Sequence, residues 1–219
     1  QTKVEARGLL LADIYLQPAP DFESRAINHP DAAIRKQSRT LFLKTLDYAV
    51  GAGSKHLSIL PGVHFSTESK NDSLLRCSDE LAWRVDLAAQ AGIVFAVEAH
   101  IGSIIPTPRE AAALIQRTPG LTLTLDYCHF TRTGTPDSTI EPLVPYASHF
   151  HVRGARKGRL QTSFKENSID YARVLQVLAK SGYQGYLGLE YVAIDWEKCN
   201  ANDNLGETIR FRDFLRETA

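Results

Sequence analysis

Residues 94–100 read Val-Phe-Ala-Val-Glu-Ala-His, so that an acid at position 98 follows a short apolar run. Such a run is typical of a buried β-strand. A carboxylate at its end needs a cation or hydrogen-bond donors, because a buried charge without a partner is costly. Residues 121–126, Leu-Thr-Leu-Thr-Leu-Asp, and residues 186–190, Tyr-Leu-Gly-Leu-Glu, repeat this order. We therefore expect three strands that end in Glu98, Asp126 and Glu190.

Short apolar runs alternate along the chain with longer segments whose apolar residues recur at helical spacing. The predicted strands cover residues 9–16, 56–60, 93–100, 121–129, 148–153 and 186–191. The predicted helices cover residues 32–50, 73–91, 108–117, 140–146, 169–180 and 205–216. Strands that are apolar on both faces and separated by helices belong to a parallel sheet covered by helices. The predicted fold class is therefore α/β, either a closed barrel or an open doubly wound sheet.

The polar residues at the strand ends distinguish these two architectures. Glu98, Asp126, His151 and Glu190 each lie at or near the end of a different predicted strand. A barrel brings such ends together around one axis, whereas an open sheet spreads them along a line. We therefore predict a (β/α) TIM-barrel-like fold, with residues 1–219 forming one partial barrel domain. It has six βα units, and the first two units of the usual eight are expected to be absent.

Three carboxylates gathered in a cavity would repel one another and bind protons, and a divalent cation removes this cost. Together with His151, the acids Glu98, Asp126 and Glu190 form an oxygen-rich ligand set. Such a set suits Mn²⁺, which we prefer, and also Mg²⁺, Co²⁺ or Zn²⁺. The sequence therefore predicts one divalent metal ion.

Two more histidines lie near the predicted ligands. His149 is two residues before His151 and leaves the strand on the same side, so it is kept as an alternative ligand or as a partner of the ligands. His129 follows Asp126 by three residues. It can reach the site without competing for the metal, and we expect it to contact a substrate.

Composition argues against several classes of function. Lys plus Arg and Asp plus Glu number 25 each, so the formal net charge is zero, and no basic field favours binding of nucleic acid or an anionic membrane. The three cysteines form no CxxC pattern, and neither a membrane span nor a signal peptide is evident, so we expect a cytoplasmic protein. An open barrel would expose strand edges that normally need a cover, and a homo-oligomer is one way to provide it.

Four stretches together resemble the sugar phosphate isomerase/epimerase superfamily, the xylose-isomerase-like TIM barrels. They are Val-Glu-Ala-His at 97–100, Leu-Asp-Tyr-Cys-His at 125–129, His-Phe-His-Val-Arg-Gly at 149–154 and Gly-Leu-Glu-Tyr at 188–191. The resemblance covers nearly the whole chain. It implies that Glu98, Asp126, His151 and Glu190 are the metal ligands and that Glu98 and Glu190 are also the catalytic bases. It further implies that His129 contacts the substrate.

Other substrate contacts are expected around the same site. Some members of the superfamily have an arginine shortly after the histidine ligand that grips a substrate hydroxyl or phosphate. Here that place holds Lys157, and we assign the role to Arg156 one residue earlier. His100, at the end of the strand predicted over 93–100, and His64, which follows the strand predicted over 56–60, are further expected contacts.

The predicted activity is that of a metal-dependent isomerase or epimerase acting on a small sugar, or on a sugar-like keto compound or polyol. A metal beside a carbonyl stabilises the enediolate that forms when a neighbouring proton is removed. By the resemblance, Glu98 and Glu190 lie on opposite sides of the substrate and exchange its proton. Return to the same carbon gives epimerisation, return to the next carbon gives isomerisation, and loss of a β-hydroxyl gives dehydration.

Two other functions are compatible with the same residues. An endonuclease-IV-like phosphodiesterase shares the barrel and the Asp-x-x-His spacing of Asp126 and His129, but it needs more metals. His64 could supply an extra ligand, yet no His-x-Asp pair follows His151, and zero net charge argues against DNA binding. The other alternative is a metal-binding barrel without catalytic activity.

Overall fold

The computed structural model describes residues 2–218. These residues form two compact units, an amino-terminal unit up to Thr124 and a carboxyl-terminal unit from Leu125 onward. The organisation of the chain as a single domain stays a prediction. Within the described part of the chain, no helix combines the length and the apolar character that a membrane span requires.

The amino-terminal unit alternates helices with parallel strands. Its helices are α1 (Thr2–Glu5), α2 (Ala32–Ala52), α3 (Lys70–Gln90) and α4 (Pro108–Arg117). Its strands are β1 (Ile14–Leu16), β2 (His56–Ile59), β3 (Val94–Glu98) and β4 (Thr122–Asp126), of which β4 ends in the second unit. Strand β1 pairs with β2, β2 with β3, and β3 with β4, all in parallel. A helix joins each pair, as parallel pairing requires.

The ends of two long helices follow from their capping residues. The hydroxyl of Thr107 accepts the N–H of Glu110 at 3.3 Å, and Pro108 begins α4, as the sequence predicts. The carboxylate of Asp31 caps α2 in the same way. Helix α2 ends at Gly53, whose φ of 79° is a left-handed conformation that glycine adopts without steric cost.

The carboxyl-terminal unit contains strands of two kinds. Its helices are α5 (Tyr127–Arg132), α6 (Asp137–Ile140), α7 (Tyr171–Ser181) and α8 (Asn204–Thr218), and 3-10 helices cover Glu141–Tyr146, Phe164–Glu166 and Trp196–Ala201. Its strands are β5 (Ala147–Val152), β6 (Gly154–Arg156), β7 (Arg159–Thr162) and β8 (Leu187–Leu189). Strands β5 and β8 are parallel, and β6 and β7 form an antiparallel hairpin.

In the amino-terminal unit, β2 and β4 each have one apolar and one polar face. Phe95 of β3 packs against Phe42 of α2 with ring centroids 5.5 Å apart, and Phe42 also contacts Trp83 of α3. On the other face, the hydroxyl oxygens of Ser58 on β2 and Thr124 on β4 lie 2.5 Å apart. The prediction of strands apolar on both faces was therefore wrong for β2 and β4, since Ser58 and Thr124 place hydroxyl groups on one face.

Two predicted strands extend furthest beyond the observed ones. The strand predicted over 121–129 ends at Asp126, because the Asp126 carboxylate accepts the N–H of Cys128 at 2.7 Å and so caps α5. The strand predicted over 9–16 begins only at Ile14, and Leu9 and Leu10 before it are exposed. In both cases the apolar composition predicted a longer strand than the structure has. A helix cap ends one strand, and the residues before the other are exposed.

The hairpin β6–β7 was missed by the sequence analysis. No strand is predicted between residues 153 and 169, but residues 159–161 lie in β7, and Leu160 and Gln161 are buried. The side-chain amide of Gln161 donates to the carbonyls of Val192 at 3.0 Å and Cys199 at 2.7 Å. Gln161 therefore fixes the segment after β8.

Candidate metal centre

Three of the predicted ligands meet in the carboxyl-terminal unit. Asp126 is the last residue of β4, His151 lies on β5, and Glu190 directly follows β8. Each offers a ligand atom, and these atoms lie within 4.8 Å of one another. Two carboxylates and one imidazole at this separation form a donor set that suits a divalent ion. Their role as metal ligands stays a prediction.

Asp126 is held rigidly. It is fully buried, and while its Oδ1 accepts the N–H of Cys128, its Oδ2 accepts a hydrogen bond from Nη2 of Arg153 at 2.8 Å. Both carboxylate oxygens therefore have donors, which satisfy the charge that burial makes costly.

His151 and Glu190 lie side by side on neighbouring strands. Nδ1 of His151 is 3.4 Å from Oε2 of Glu190, whose side chain is 31% exposed. His149 and His151 leave β5 on the same side, with rings perpendicular and centroids 5.4 Å apart. Gly188 pairs with His151 in register, and a Cβ there would lie 3.1 Å from Nε2 of His149. The missing side chain therefore gives the imidazole of His149 its space.

Arg153 was not among the predicted site residues. Its side chain is only 4% exposed, and Nη2 lies 3.2 Å from Oε2 of Glu190 as well as close to Asp126. Nη1 donates to the backbone carbonyl of Glu190 at 3.3 Å. The sequence did contain a signal, since Arg153 follows His149 and His151 at the two-residue spacing of one strand face.

His129 adjoins this group from the first turns of α5. Its Nε2 lies 3.6 Å from Oδ2 of Asp126 and 3.4 Å from Nη2 of Arg153. It accepts the hydrogen bond from Arg153 when the imidazole carries its proton on Nδ1. The ring of Trp196 lies 6.3 Å away between centroids, and Trp196 is 39% exposed. An exposed indole beside a buried imidazole offers a surface on which an apolar ligand face can stack.

The segment that carries Trp196 has a strained backbone. Glu197 and Lys198 have φ values of 54° and 59°, a left-handed conformation that residues other than glycine rarely adopt. The Glu197 carboxylate accepts two hydrogen bonds from Arg132, at 2.8 and 3.1 Å. This bidentate pair favours the conformation that the backbone alone would not.

Glu98 and Tyr15 form a pair in the amino-terminal unit. Glu98 ends β3 and is buried, and the hydroxyl of Tyr15 on β1 donates to its Oε2 at 2.6 Å. In the sequence, Tyr15 lies in an apolar run that predicts only a strand. Its position there gave no sign that its hydroxyl reaches a carboxylate two strands away.

The other predicted substrate contacts have different environments. His100 is buried beside Phe22, its Nδ1 lies 2.6 Å from the carbonyl of Ile101, and burial lowers its pKa below the usual imidazole value. His64 is exposed after β2, with Nε2 3.2 Å from the carbonyl of Glu68. Arg156 is exposed at the end of β6. Their roles stay predictions.

Comparison with known proteins identifies the group of barrels that the chain resembles. A family model described as the xylose isomerase-like TIM barrel matches residues 3–217. A mouse protein named "Putative hydroxypyruvate isomerase" is 32% identical over 91 residues, which is 40% of this chain and 32% of that protein. The match thus spans about a third of the length of this curated relative.

Solved structures resemble the chain over most of its length. An L-ribulose 3-epimerase superposes with a TM-score of 0.82 at 17% identity, covering 99% of this chain and 77% of that one. A family 2 AP endonuclease from Brucella melitensis gives 0.72 at 21% identity, covering 87% and 75%. The IOLI protein with a bound zinc atom gives 0.71 at 17% identity, covering 89% and 74%. At these identities the comparisons show a common fold.

Proposed function

Because the chain belongs to the xylose isomerase-like TIM barrel family, and its α/β fold is that of a partial TIM barrel, we propose that it is a metal-dependent isomerase or epimerase. The substrate we propose is a small sugar or a sugar-like keto compound or polyol. The reaction is proton transfer next to a carbonyl. The epimerase among the similar structures and the isomerase named for the mouse relative support this class of activity.

The observation that carries the proposal is the meeting of Asp126, His151 and Glu190 within 4.8 Å. We propose Glu98, which ends a parallel strand like the others, as the fourth ligand of one divalent ion. Mn²⁺ is our first choice, with Mg²⁺, Co²⁺ and Zn²⁺ as alternatives, and the zinc atom in a similar structure supports a metal at this kind of barrel. When bound, the metal supplies Lewis-acid polarisation of the substrate carbonyl.

Two carboxylates would move the proton. Glu190 is the more exposed, with 31% of its side chain accessible, so it can meet a substrate carbon directly. Glu98 is buried, and the hydroxyl of Tyr15 donates a hydrogen bond to its Oε2, which holds the carboxylate in place. We propose that one carboxylate removes a proton from the carbon beside the carbonyl and that the other returns one. Return to the same carbon would epimerise the substrate, and return to the next carbon would isomerise it.

The remaining predicted residues would orient the substrate. His129 adjoins Asp126 and faces Trp196, so it could bind a hydroxyl while the indole contacts an apolar face of the sugar. Arg156, His100 and His64 are proposed as outer contacts. The proposed partner is thus a small molecule, not nucleic acid or a membrane, and the proposed compartment is the cytoplasm. The open edges of a partial barrel make a homo-oligomer part of the same proposal.

Deuterium exchange tests the proposal. The protein is loaded with Mn²⁺ and incubated in deuterated water with ketoses, inososes or hydroxypyruvate, and loss of the proton beside the carbonyl is followed by NMR. We expect exchange with at least one substrate and loss of exchange in Glu190→Gln. No exchange with any of them would contradict the isomerase proposal. Nicking of abasic DNA by the same preparation would favour the endonuclease-like alternative instead.

A further inference from the structure

The guanidinium of Arg153 lies among the proposed ligands. Nη2 is 2.8 Å from Oδ2 of Asp126 and 3.2 Å from Oε2 of Glu190, and Nη1 donates to the Glu190 carbonyl. Oε2 of Glu190 is also the oxygen near Nδ1 of His151. A fixed positive charge therefore lies within ion-pair distance of both carboxylates.

The backbone of Arg153 is anchored as firmly as its side chain. Its carbonyl accepts the hydroxyl of Tyr171 at 2.8 Å and lies 3.2 Å from the thiol sulfur of Cys128. A tyrosine hydroxyl and a cysteine thiol thus both donate to this one carbonyl, and both side chains are buried. The guanidinium therefore starts from a fixed point and cannot easily swing out to solvent.

The guanidinium of Arg153 reduces the repulsion between Asp126 and Glu190 in the metal-free protein. Asp126 and Glu190 would repel each other in a poorly solvated site, and repulsion would favour protonation or displacement of one of them. Arginine stays charged under all ordinary conditions and presents its donors in a rigid plane, so it can hold two carboxylates at once. One guanidinium does not neutralise two carboxylates, and a net negative charge is left for a divalent ion.

We infer that Arg153 is an internal counter-cation of the metal centre: it keeps Asp126 and Glu190 in position while the site is empty and weakens metal binding, because an entering ion must share or displace its hydrogen bonds. This inference rests on the proposed metal centre. It assigns Arg153 as a positioning residue that sets the metal affinity, a role distinct from ligand or base.

The test compares metal affinity in two variants. Arg153→Gln removes the charge but keeps an amide donor, and Arg153→Lys keeps the charge with fewer donors. Arg84→Gln is the matched control, because Arg84 is equally buried and also pairs with a carboxylate, Glu80, on helix α3. Each protein is stripped with a chelator, titrated with Mn²⁺ by calorimetry and melted with and without Mn²⁺.

We expect Arg153→Gln to melt at a lower temperature without metal and to bind Mn²⁺ about ten- to a hundredfold more tightly than wild type, since its two carboxylates then lack a counter-charge. Its melting temperature should rise more on addition of Mn²⁺ than that of wild type. Arg153→Lys should fall between the two. Arg84→Gln should lose stability but gain no affinity.

The outcomes separate the inference from the proposed function. Unchanged or weaker Mn²⁺ binding by Arg153→Gln overturns the role of Arg153, whatever the activity of wild type. If Arg153→Gln folds only with Mn²⁺, the inference is supported. If Arg153→Gln folds neither with nor without Mn²⁺, the Mn²⁺ affinity of Arg153→Lys decides. Tighter binding than wild type then supports the inference, and equal or weaker binding overturns it. Tight binding by the variant together with absence of proton exchange in metal-saturated wild type supports the inference and overturns the isomerase. Failure of wild type and variants alike to bind Mn²⁺, Mg²⁺, Co²⁺ or Zn²⁺ overturns both.

Discussion

Two buried arginines in this protein contact carboxylates, and their surroundings differ. Arg84 lies in helix α3 of the amino-terminal unit, where Nη1 is 2.9 Å from Oε2 of Glu80 and the guanidinium lies 5.3 Å from the ring of Phe42. Glu80 also accepts two hydrogen bonds from Arg39. Arg153 lies at the end of a strand in the carboxyl-terminal unit, among two carboxylates and two imidazoles.

The difference lies in the balance of charge and in access to solvent. Around Glu80 the cations Arg35, Arg39 and Arg84 outnumber the single carboxylate, so no negative charge is left for a metal. Around Arg153 the carboxylates outnumber the guanidinium, and Glu190 reaches solvent. A buried ion pair is thus weak evidence of function by itself. An excess of carboxylates beside imidazoles, open on one side, is the arrangement that can bind and react.

The largest expected effect tests the reactive side of this comparison. Glu190→Gln should slow proton exchange by about 10²- to 10⁴-fold, because the amide cannot accept a proton. It should also weaken Mn²⁺ binding, because an amide is a poorer ligand than a carboxylate. Exchange measured by NMR and calorimetric titration check both effects. Glu80→Gln is the matched control and should leave exchange by the folded protein unchanged; full activity in Glu190→Gln would remove Glu190 from the site.

Glu80→Gln tests the structural role of the Arg84–Glu80 ion pair. Burial lowers the pKa of Arg84, and the carboxylate of Glu80 is the group that favours its charged form. Removing that carboxylate should lower the free energy of unfolding by about 3–5 kcal/mol, the usual cost of leaving a buried charge unpaired. Urea denaturation measures the loss. A decrease in the free energy of unfolding below about 1 kcal/mol, as for an exposed ion pair, would mean that Glu80 does not stabilise a buried charge on Arg84.

A smaller effect on activity is expected from replacing Trp196, the exposed side chain near His129. Trp196→Ala should raise KM for the proposed sugar about five- to tenfold and change kcat little, because stacking contributes to binding and not to proton transfer. Trp196→Phe should retain most of the affinity. Steady-state kinetics separate the two constants, and a fall in kcat with unchanged KM would show that Trp196 acts in another way.

The smallest effect concerns a third pair, which is partly exposed. Hydrogen bonds from Arg76 lower the pKa of Glu68 to about 2. Since the folded pKa lies below the unfolded value, the pair stabilises the protein above that unfolded value, and the contribution is lost as pH falls toward about 2. Urea midpoints of wild type and Glu68→Gln should therefore converge as pH falls from neutral. A difference that stays constant with pH would contradict this assignment.

Much of the fold could be predicted because apolar runs and helical spacing report burial directly. The strands at 94–98 and 122–126 and the helix at 108–117 follow from the local sequence and its caps. The hairpin β6–β7 was missed because short strands rich in charged and small residues look like a loop. Helix α5 was missed because Tyr127 and Phe130 continue the apolar composition of β4, and only the capping bond of Asp126 ends the strand.

The candidate site was predictable where an acid or imidazole ends an apolar strand. Asp126, His151 and Glu190 fulfil that pattern, and their proximity within one unit agrees with it. Arg153 and Tyr15 do not, because their contacts depend on which side chains face each other across strands far apart in sequence. Glu98 also ends an apolar strand, and its role as a fourth ligand stays a prediction to be tested by mutation.

The left-handed pair Glu197 and Lys198 has a consequence for how ligands reach His129. Backbone strain there favours release of the segment that carries Trp196, whereas the ion pair of Glu197 with Arg132 favours its retention. Dissolved salt screens the ion pair, which is partly exposed, and leaves the torsional strain unchanged. Higher ionic strength should therefore favour opening of this segment, and the salt concentration would then affect how readily a small molecule reaches His129.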